Sequence, residues 1–275
     1  ISACLVGSEM CIRDRCWGSN QRGQLGSSAA HPTSTPTTVA LGVTTTALAL
    51  GSEHSCVLTS AGAVKCWGSN TSGQLGVGNL TAVSPGFIGD VIGLSSGIVQ
   101  ISAGRTTTCS ITSAGGLSCW GTNIYEAIRP AATLTQVSTA EVVYGLTSGV
   151  SAVSVGDSQI CALLTSGDVP CWGANGNGQS GDGYEGRVLT PRSVITSVSN
   201  RTPLAGFQSI GTSMWSTCGV LTTGAVRCWG YNIFGNLGDG TQTTRSAPVS
   251  HSVIQSGAVS VSTASGASTH AHCAI

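Results

Sequence analysis

The chain has 275 residues and a mass of 27.4 kDa, enough for one large β domain or two small ones with a real core. It carries 11 positive and 11 negative side chains, so the formal net charge is zero and only 8% of residues are charged, against roughly 25% in an ordinary soluble domain. That balance argues against a nucleic-acid or anionic-membrane binder, both of which need a surplus of lysine and arginine, and no uninterrupted apolar run approaches the roughly 18 residues of a membrane-spanning helix.

The chain opens on Ile1-Ser2-Ala3, which matches Ile101-Ser102-Ala103 further on. The following stretch, Cys4-Leu5-Val6-Gly7-Ser8-Glu9-Met10-Cys11-Ile12-Arg13-Asp14-Arg15, matches no other part of the chain. From Cys16 onward the sequence repeats. Cys-Trp-Gly stands at Cys16-Trp17-Gly18, Cys66-Trp67-Gly68, Cys119-Trp120-Gly121, Cys171-Trp172-Gly173 and Cys228-Trp229-Gly230, with successive tryptophans 50, 53, 52 and 57 residues apart. Two residues beyond each of these glycines comes an asparagine: Asn20, Asn70, Asn123, Asn175 and Asn232. A Gly-rich turn follows as Gly23-Gln24-Leu25-Gly26, Gly73-Gln74-Leu75-Gly76, Gly178-Gln179-Ser180-Gly181 and Gly235-Asn236-Leu237-Gly238. In the third repeat Ile124-Tyr125-Glu126-Ala127 stands in that place. The repeats are read as residues 16–41, 42–95, 96–147, 148–203 and 204–256, with a partial one at 257–275.

Within a repeat the pattern predicts short antiparallel strands. A small-residue strand ending in glycine comes first: Leu48-Ala49-Leu50-Gly51, Ile101-Ser102-Ala103-Gly104, Val153-Ser154-Val155-Gly156 and Ser209-Ile210-Gly211. A last copy, Val261-Ser262-Thr263-Ala264-Ser265-Gly266, leads to His270-Ala271-His272-Cys273. Next comes a hairpin whose turn glycine, at Gly62, Gly115, Gly167 or Gly224, lies six residues after its first cysteine. This places Cys56 with Cys66, Cys109 with Cys119, Cys161 with Cys171 and Cys218 with Cys228 at matching heights on neighbouring strands, and four cross-strand disulfides are expected. Nine intervening residues do not suit zinc, whose paired thiolates are separated by two to four. Pro170, beside Cys171, cannot donate to a ladder and suggests an edge strand or a bulge.

About four strands per fifty residues, with no amphipathic helical pattern, is the arithmetic of an all-β propeller blade. Small residues near the axis and a tryptophan further out suit its taper. The residues Ile101-Ser102-Ala103-Gly104, the cysteine hairpin, Trp67-Gly68-Ser69-Asn70 and Gly73-Gln74-Leu75-Gly76 together resemble the repeat of the regulator-of-chromosome-condensation family, in the cysteine-bearing version of exported bacterial proteins. The resemblance covers residues 16–275 and implies a propeller, commonly of seven blades. With four full repeats and two half repeats, the expected architecture is an incomplete ring, part of a longer chain. Residues 4–15 resemble translated sequencing-adapter sequence, which predicts that residues 1–15 are non-native, that Cys4 and Cys11 are accidental and that the natural partner of Cys16 is missing. A rival expectation is a five-bladed ring closed by a Cys16–Cys273 bridge.

No catalytic group stands out. His31, His54, His251, His270 and His272 are the only histidines, and those beside a repeat's first cysteine favour structural hydrogen bonds over general-base work. His270-Ala271-His272-Cys273 could present metal ligands on one face of a strand, but a terminal strand of an interrupted repeat is the plainer reading. The carboxylates offer no acid pair of the glycosidase kind. Asn175 to Gly183 and Gly238-Asp239-Gly240 faintly resemble calcium loops, yet their recurrence at the turn favours structure. Asn70, Asn79 and Asn200 head glycosylation sequons of little weight in so Ser- and Thr-rich a chain. Trp17, Trp67, Trp120, Trp172 and Trp229 are read as blade-to-blade core.

A binding surface remains. The segments that break the repeat concentrate aromatic and charged residues: Tyr125, Glu126 and Arg129; Tyr184, Glu185 and Arg187; Tyr231, Phe234 and Arg245. The expected function is a non-enzymatic, protein-binding propeller, extracellular or on the cell surface, with no metal or cofactor, no nucleic acid and an unnamed protein partner, working as a monomeric module. The resemblance also implies a guanine-nucleotide exchange factor acting on a small GTPase, or a secreted hydrolase inhibitor. Oxidised cysteine pairs favour the exported readings.

Overall fold

The computed structural model describes residues 14–28, 31–81, 83–130, 133–263 and 272–275, and the backbone of residues 3–5. Among them are 21 strands and no helix. The first sheet runs β1 (Ala3–Leu5), β2 (Arg15–Gly18), β3 (Thr33–Thr38). Four-stranded antiparallel meanders follow: β4 (Thr45–Leu50), β5 (His54–Thr59), β6 (Val64–Gly68), β7 (Gly89–Asp90); then β8 (Ile98–Ala103), β9 (Thr107–Thr112), β10 (Leu117–Thr122), β11 (Gln136–Val142). The next two are β12 (Val150–Val155), β13 (Gln159–Leu164), β14 (Pro170–Gly173), β15 (Val188–Ser193) and β16 (Phe207–Thr212), β17 (Ser216–Leu221), β18 (Val226–Gly230), β19 (Arg245–Ser250). A two-stranded sheet, β20 (Val261–Thr263) with β21 (His272–Ala274), comes last. These are the blades of a propeller-type fold. The chain divides into two compact units, Ile1–Ile124 with Thr133–Val143 and Tyr125–Ala132 with Tyr144–Ile275.

The position of a strand in its blade decides its composition. Second strands are packed on both faces, and β5 is buried at every residue. First strands alternate, as in β12, where Val150, Val153 and Val155 are buried and Ser151 is exposed. Outer strands are half exposed and carry Pro36, Pro191 and Pro248, which keep the free edge from recruiting another strand.

The cysteine hairpins form in the expected register. Cys56 faces Cys66, Cys109 faces Cys119, Cys161 faces Cys171 and Cys218 faces Cys228, and all four pairs are disulfide-bonded with Cα–Cα distances of 4.1 Å. A bridge closing so short a loop contributes roughly 2–3 kcal/mol. Next to each bridge lies the tryptophan, and in four blades the ladder to the outer strand skips it: the register shifts between Cys16 and Gly18, Cys119 and Gly121, Cys171 and Gly173, and Cys228 and Gly230. Such a bulge bends the strand and re-aims the side chain between its ends.

Of the two places expected for Pro170, the strand is not at an edge, because β14 is flanked by β13 and β15, but it carries a bulge against β15 between Cys171 and Gly173. The missing N–H of Pro170 also ends the β13–β14 pairing at Cys161–Cys171, where the second and fifth blades continue to Val64 and Val226. Two expectations need correction. Cys16 does not lack a partner: it is disulfide-bonded, and the backbone of β1 sets Cys4 opposite it in the register of the other hairpins. The bridge from Cys16 to Cys273 is not formed, since Cys273 is a free, exposed thiol. Cys11 and His270 lie outside the described residues.

Candidate functional site

The Gly-rich turns are joints between blades. In the turn after Trp67, the Asn70 side-chain oxygen accepts the Leu75 N–H at 3.2 Å and the Gln74 side-chain oxygen accepts the Ser72 N–H at 2.8 Å. So folded, the turn aims the Gln74 carbonyl at the next blade, where it accepts the Trp120 indole N–H at 2.9 Å and the Thr108 hydroxyl at 3.1 Å. One blade earlier, the Gln24 carbonyl takes Trp67 at 2.9 Å and Ser55 at 2.8 Å. Trp67, Trp120, Trp172 and Trp229 are wholly buried at 0% exposure, as core tryptophans should be, whereas Trp17 is half-buried. The turn's last glycine is dictated by this contact. Gly76 has φ +69°, and a Cβ there would sit 3.0 Å from the Trp120 indole nitrogen.

In the third repeat the turn lies two positions later than the match at Ile124-Tyr125-Glu126-Ala127 suggests. Ala127 supplies the carbonyl, accepting the Trp172 N–H at 2.6 Å; Ile128 is buried like Leu75, and Glu126 takes the left-handed φ (57°) that Gly73 has in the second turn. Glu126 ion-pairs with Arg187 at 3.2 Å.

A second rung links successive blades. His54 Nε2 meets the Thr108 hydroxyl at 2.8 Å, the Gln159 amide donates to the Thr217 hydroxyl at 2.6 Å, and Ser216 Oγ meets His272 Nε2 at 2.8 Å. His54 is fully buried, and desolvation pushes its pKa down to about 4. These contacts are structural hydrogen bonds, not the poise of a general base. Gln159 and Thr217 both donate to the Gln179 carbonyl, and Trp229 Nε1 is buried with no hydrogen-bond partner among the described residues.

The carboxylates of the Asp-Gly loops are engaged internally. Asp239 accepts from Arg245 Nε at 3.0 Å, from Asn232 and from the Thr241 hydroxyl and N–H; burial raises its pKa, but these bonds outweigh that and hold it below the usual carboxylate value. Asp182 pairs with Arg192 at 3.3 Å. Among the described residues no group of three or more His, Cys, Asp or Glu side chains is placed to hold a metal ion. Asn70, spent on its turn and buried, is not an open glycosylation acceptor.

The loops after the first strand and after Cys-Trp-Gly lie side by side, because the residue after the motif donates its N–H to the loop: Ser69 to Glu53, Thr122 to Thr106, Ala174 to Ser158 and Tyr231 to Trp215. In the fifth blade this pair of positions is aromatic. Trp215 and Tyr231 meet edge to face with centroids 5.2 Å apart, and Tyr231 meets Phe234 at 6.1 Å. Phe234 is 64% exposed and Ile233 beside it is exposed as well. The sequence pattern singled out Tyr231 and Phe234; Trp215 was missed, although it is the one tryptophan of six outside Cys-Trp-Gly.

The other candidate residues fall into separate groups. Tyr184 is exposed and stacked under the Arg201 guanidinium, 3.7 Å from the ring centroid. Glu185 is exposed, Arg187 is tied to Glu126 and Arg245 to Asp239, while Tyr125 is half-buried and Arg129 exposed.

Comparison with known proteins places these features. The regulator of chromosome condensation (RCC1) repeat matches residues 16–58 and 61–111, and a second form of it matches residues 46–74 and 150–179. Over 185 residues, 65% of this chain, the sequence is 31% identical to the probable E3 ubiquitin-protein ligase HERC4 of Mus musculus, and that stretch spans 17% of HERC4. Among solved structures, human WBSCR16 superposes with a TM-score of 0.80 at 20% identity, over 96% of this chain and 67% of the other. Prp20p of Saccharomyces cerevisiae, described with its binding properties to Gsp1p and histones, gives 0.75 at 19% identity, over 96% and 65%.

Proposed function

We propose, for a chain that carries regulator of chromosome condensation repeats on a β-propeller fold, that it is a non-enzymatic protein-binding module working in an oxidising compartment, outside the cell or on its surface. The observation that carries this reading is the aromatic cluster of Trp215, Tyr231 and Phe234. The positions of Trp215 and Tyr231 are filled by Glu53 and Ser69, Thr106 and Thr122, and Ser158 and Ala174 in the second, third and fourth blades, and that of Phe234 by Ser72, Tyr125 and Asn177. The frame therefore does not require a Trp–Tyr pair there; Phe234 stands exposed on the half-buried Trp215 and Tyr231, and aromatic residues of this kind dominate interface hot spots. Four disulfides support the compartment. Asp182 and Asp239, each neutralised by an arginine, and His54, wholly buried, support the non-enzymatic part.

The test is photo-crosslinking in the exporting cell, with benzoylphenylalanine at position 234 and, as a control, at the exposed Leu189. A discrete protein adduct from position 234, absent from 189 and lost on Tyr231→Ser, is expected. Equal labelling from both positions would overturn the reading. Accelerated release of a fluorescent GDP analogue from a small GTPase by the reduced or oxidised chain would replace it with the exchange-factor reading.

A further inference from the structure

Three stretches of the chain, Asn70-Thr71-Ser72, Asn79-Leu80-Thr81 and Asn200-Arg201-Thr202, have the Asn-X-Ser/Thr form of an N-glycosylation acceptor. Transfer needs two groups open to an enzyme in solvent: the asparagine Nδ2, which is the nucleophile, and the hydroxyl two residues on. The structure separates the three. Asn70 is wholly buried, and its Nδ2 is spent on the Asn79 side chain and on the carbonyls of Asn79 and Thr81. Asn200 is exposed, but the Thr202 hydroxyl is hydrogen-bonded to that of Thr196 at 2.7 Å, and Pro203 follows directly and narrows the backbone of Thr202. Asn79 and Thr81 are both exposed. Asn79 Oδ1 accepts from Asn70 Nδ2 at 3.0 Å and from the Thr81 N–H at 3.1 Å, whereas Asn79 Nδ2 and Thr81 Oγ1 bond to nothing among the described residues. The carboxamide is thus held by its oxygen in an Asx turn, and its nitrogen is left over.

The frame does not need that nitrogen. Asn79, Tyr184 and Thr241 each stand nine residues after a turn asparagine, and each offers it a backbone carbonyl: Asn70 Nδ2 donates to Asn79 at 3.0 Å, Asn175 Nδ2 to Tyr184 at 3.1 Å and Asn232 Nδ2 to Thr241 at 3.2 Å. Only the second blade places an amide side chain on that shared carbonyl, and its loop also exposes Leu80 and Phe87, where a bulky hydrated sugar chain adds polar surface. We propose that Asn79 is an N-glycosylation acceptor, taking an oligosaccharide from a polyprenyl-diphosphate-linked donor. Asn79 Nδ2 attacks the anomeric carbon of the first sugar and the nitrogen–carbon bond forms. The bond from that carbon to the diphosphate oxygen breaks, the diphosphate leaves with the electron pair, and one Nδ2 proton passes to a base of the transferase. This inference rests on the reading that the chain works in an oxidising, exported compartment.

The experiment sends the full chain, behind a secretion leader, through the secretory pathway of a eukaryotic cell. Intact mass and peptide maps are taken before and after an N-glycan amidase in heavy-oxygen water. One glycan is expected, removed by the amidase with a heavy-oxygen aspartate left at position 79. Asn79→Thr, which installs the residue type of the fifth blade, and Thr81→Val each abolish the mass increment, Thr81→Ser retains it, and Asn200→Gln leaves it unchanged. The inference and the reading it rests on fail differently. A secreted chain with its four hairpin disulfides closed but bare at Asn79, or one modified at Asn70 or Asn200 instead, overturns the acceptor alone. A chain whose hairpin cysteines remain free thiols in that pathway overturns the compartment reading, and the acceptor with it.

Discussion

The turn after Trp67 and the turn after Trp120 do the same work with almost no side chains in common. Each presents one backbone carbonyl, Gln74 or Ala127, to the indole N–H of a following tryptophan. In the second turn the carbonyl is aimed by Asn70, by the Gln74 side chain and by Gly73 and Gly76, both left-handed. In the third, Glu126 accepts the left-handed conformation and Arg129 stands where Gly76 would. The difference teaches that a joint needs a carbonyl at one point in space and a buried aliphatic behind it, Leu75 or Ile128, and that the conserved-looking letters are one route to it. It also separates what is costly to change from what is cheap.

Removing the donor should cost most. Trp120→Ala leaves the Gln74 carbonyl without its indole and opens a cavity beside the Cys56–Cys66 blade, and about 4 kcal/mol of stability should be lost. Denaturant unfolding measures it; a loss under about 1 kcal/mol would mean that the joints do not hold the blades. Gly76→Ala should cost slightly less, about 3 kcal/mol, because it combines a left-handed non-glycine residue with a Cβ 2.7 Å from Val91 and 3.0 Å from the Trp120 nitrogen. The same change at Gly42, also left-handed but with nothing nearby, isolates the backbone part, about 1 kcal/mol.

The comparison also shows what was legible in the sequence. Local features were read because one repeat checks another: four recurrences of a cysteine spacing fix the hairpin register, and the structure reproduces it at each bridge. The match at Ile124-Tyr125-Glu126-Ala127 lies two residues early because it has no glycine to anchor it; the six-residue step from tryptophan to the turn's first position, Trp67 to Gly73 and Trp120 to Glu126, sets the place, and the φ of Glu126 and the burial of Ile128 agree with it. Pro170 by itself leaves two readings open, an edge or a bulge, and the structure has the bulge. A proline forbids one N–H bond, and at the first residue of β14 that shortens a ladder without moving the strand to an edge. Trp215 was overlooked because it lies outside the repeated motif, and its pairing with Tyr231 depends on a backbone bond between two loops.

The second rung gives a smaller, pH-dependent effect. His54 and Gln159 occupy the same place in their blades and reach Thr108 and Thr217, but only the histidine titrates. Its pKa in the folded chain is about 4, below the ordinary 6.5, so the unfolded chain takes up the proton first. The stability contributed by neutral His54 is complete above pH 6.5 and is lost as pH falls from 6.5 towards 4, with no further loss from this group below that. His54→Gln, which can reproduce the bond that Gln159 makes, should flatten stability across that window. An unchanged acid slope in the variant would assign the loss to other groups.

The smallest effect should be a gain. Glu126 holds φ at 57° where the second turn has glycine, a conformation that costs a non-glycine residue about 1 kcal/mol. Glu126→Gly relieves that cost but also removes the ion pair with Arg187, which is half exposed and contributes between about zero and 1 kcal/mol. The two terms separate by experiment. Arg187→Ala removes the pair and leaves the backbone as it is, so its loss measures the pair alone, and subtracting it from the Glu126→Gly change gives the backbone term. The expected balance is a net stabilisation of about 0.5 kcal/mol for Glu126→Gly beside a small destabilisation for Arg187→Ala. A net loss with Glu126→Gly larger than that of Arg187→Ala would mean that the glutamate, not the shape of the turn, keeps the Ala127 carbonyl aimed at Trp172, and that the third joint works on a different principle from the second.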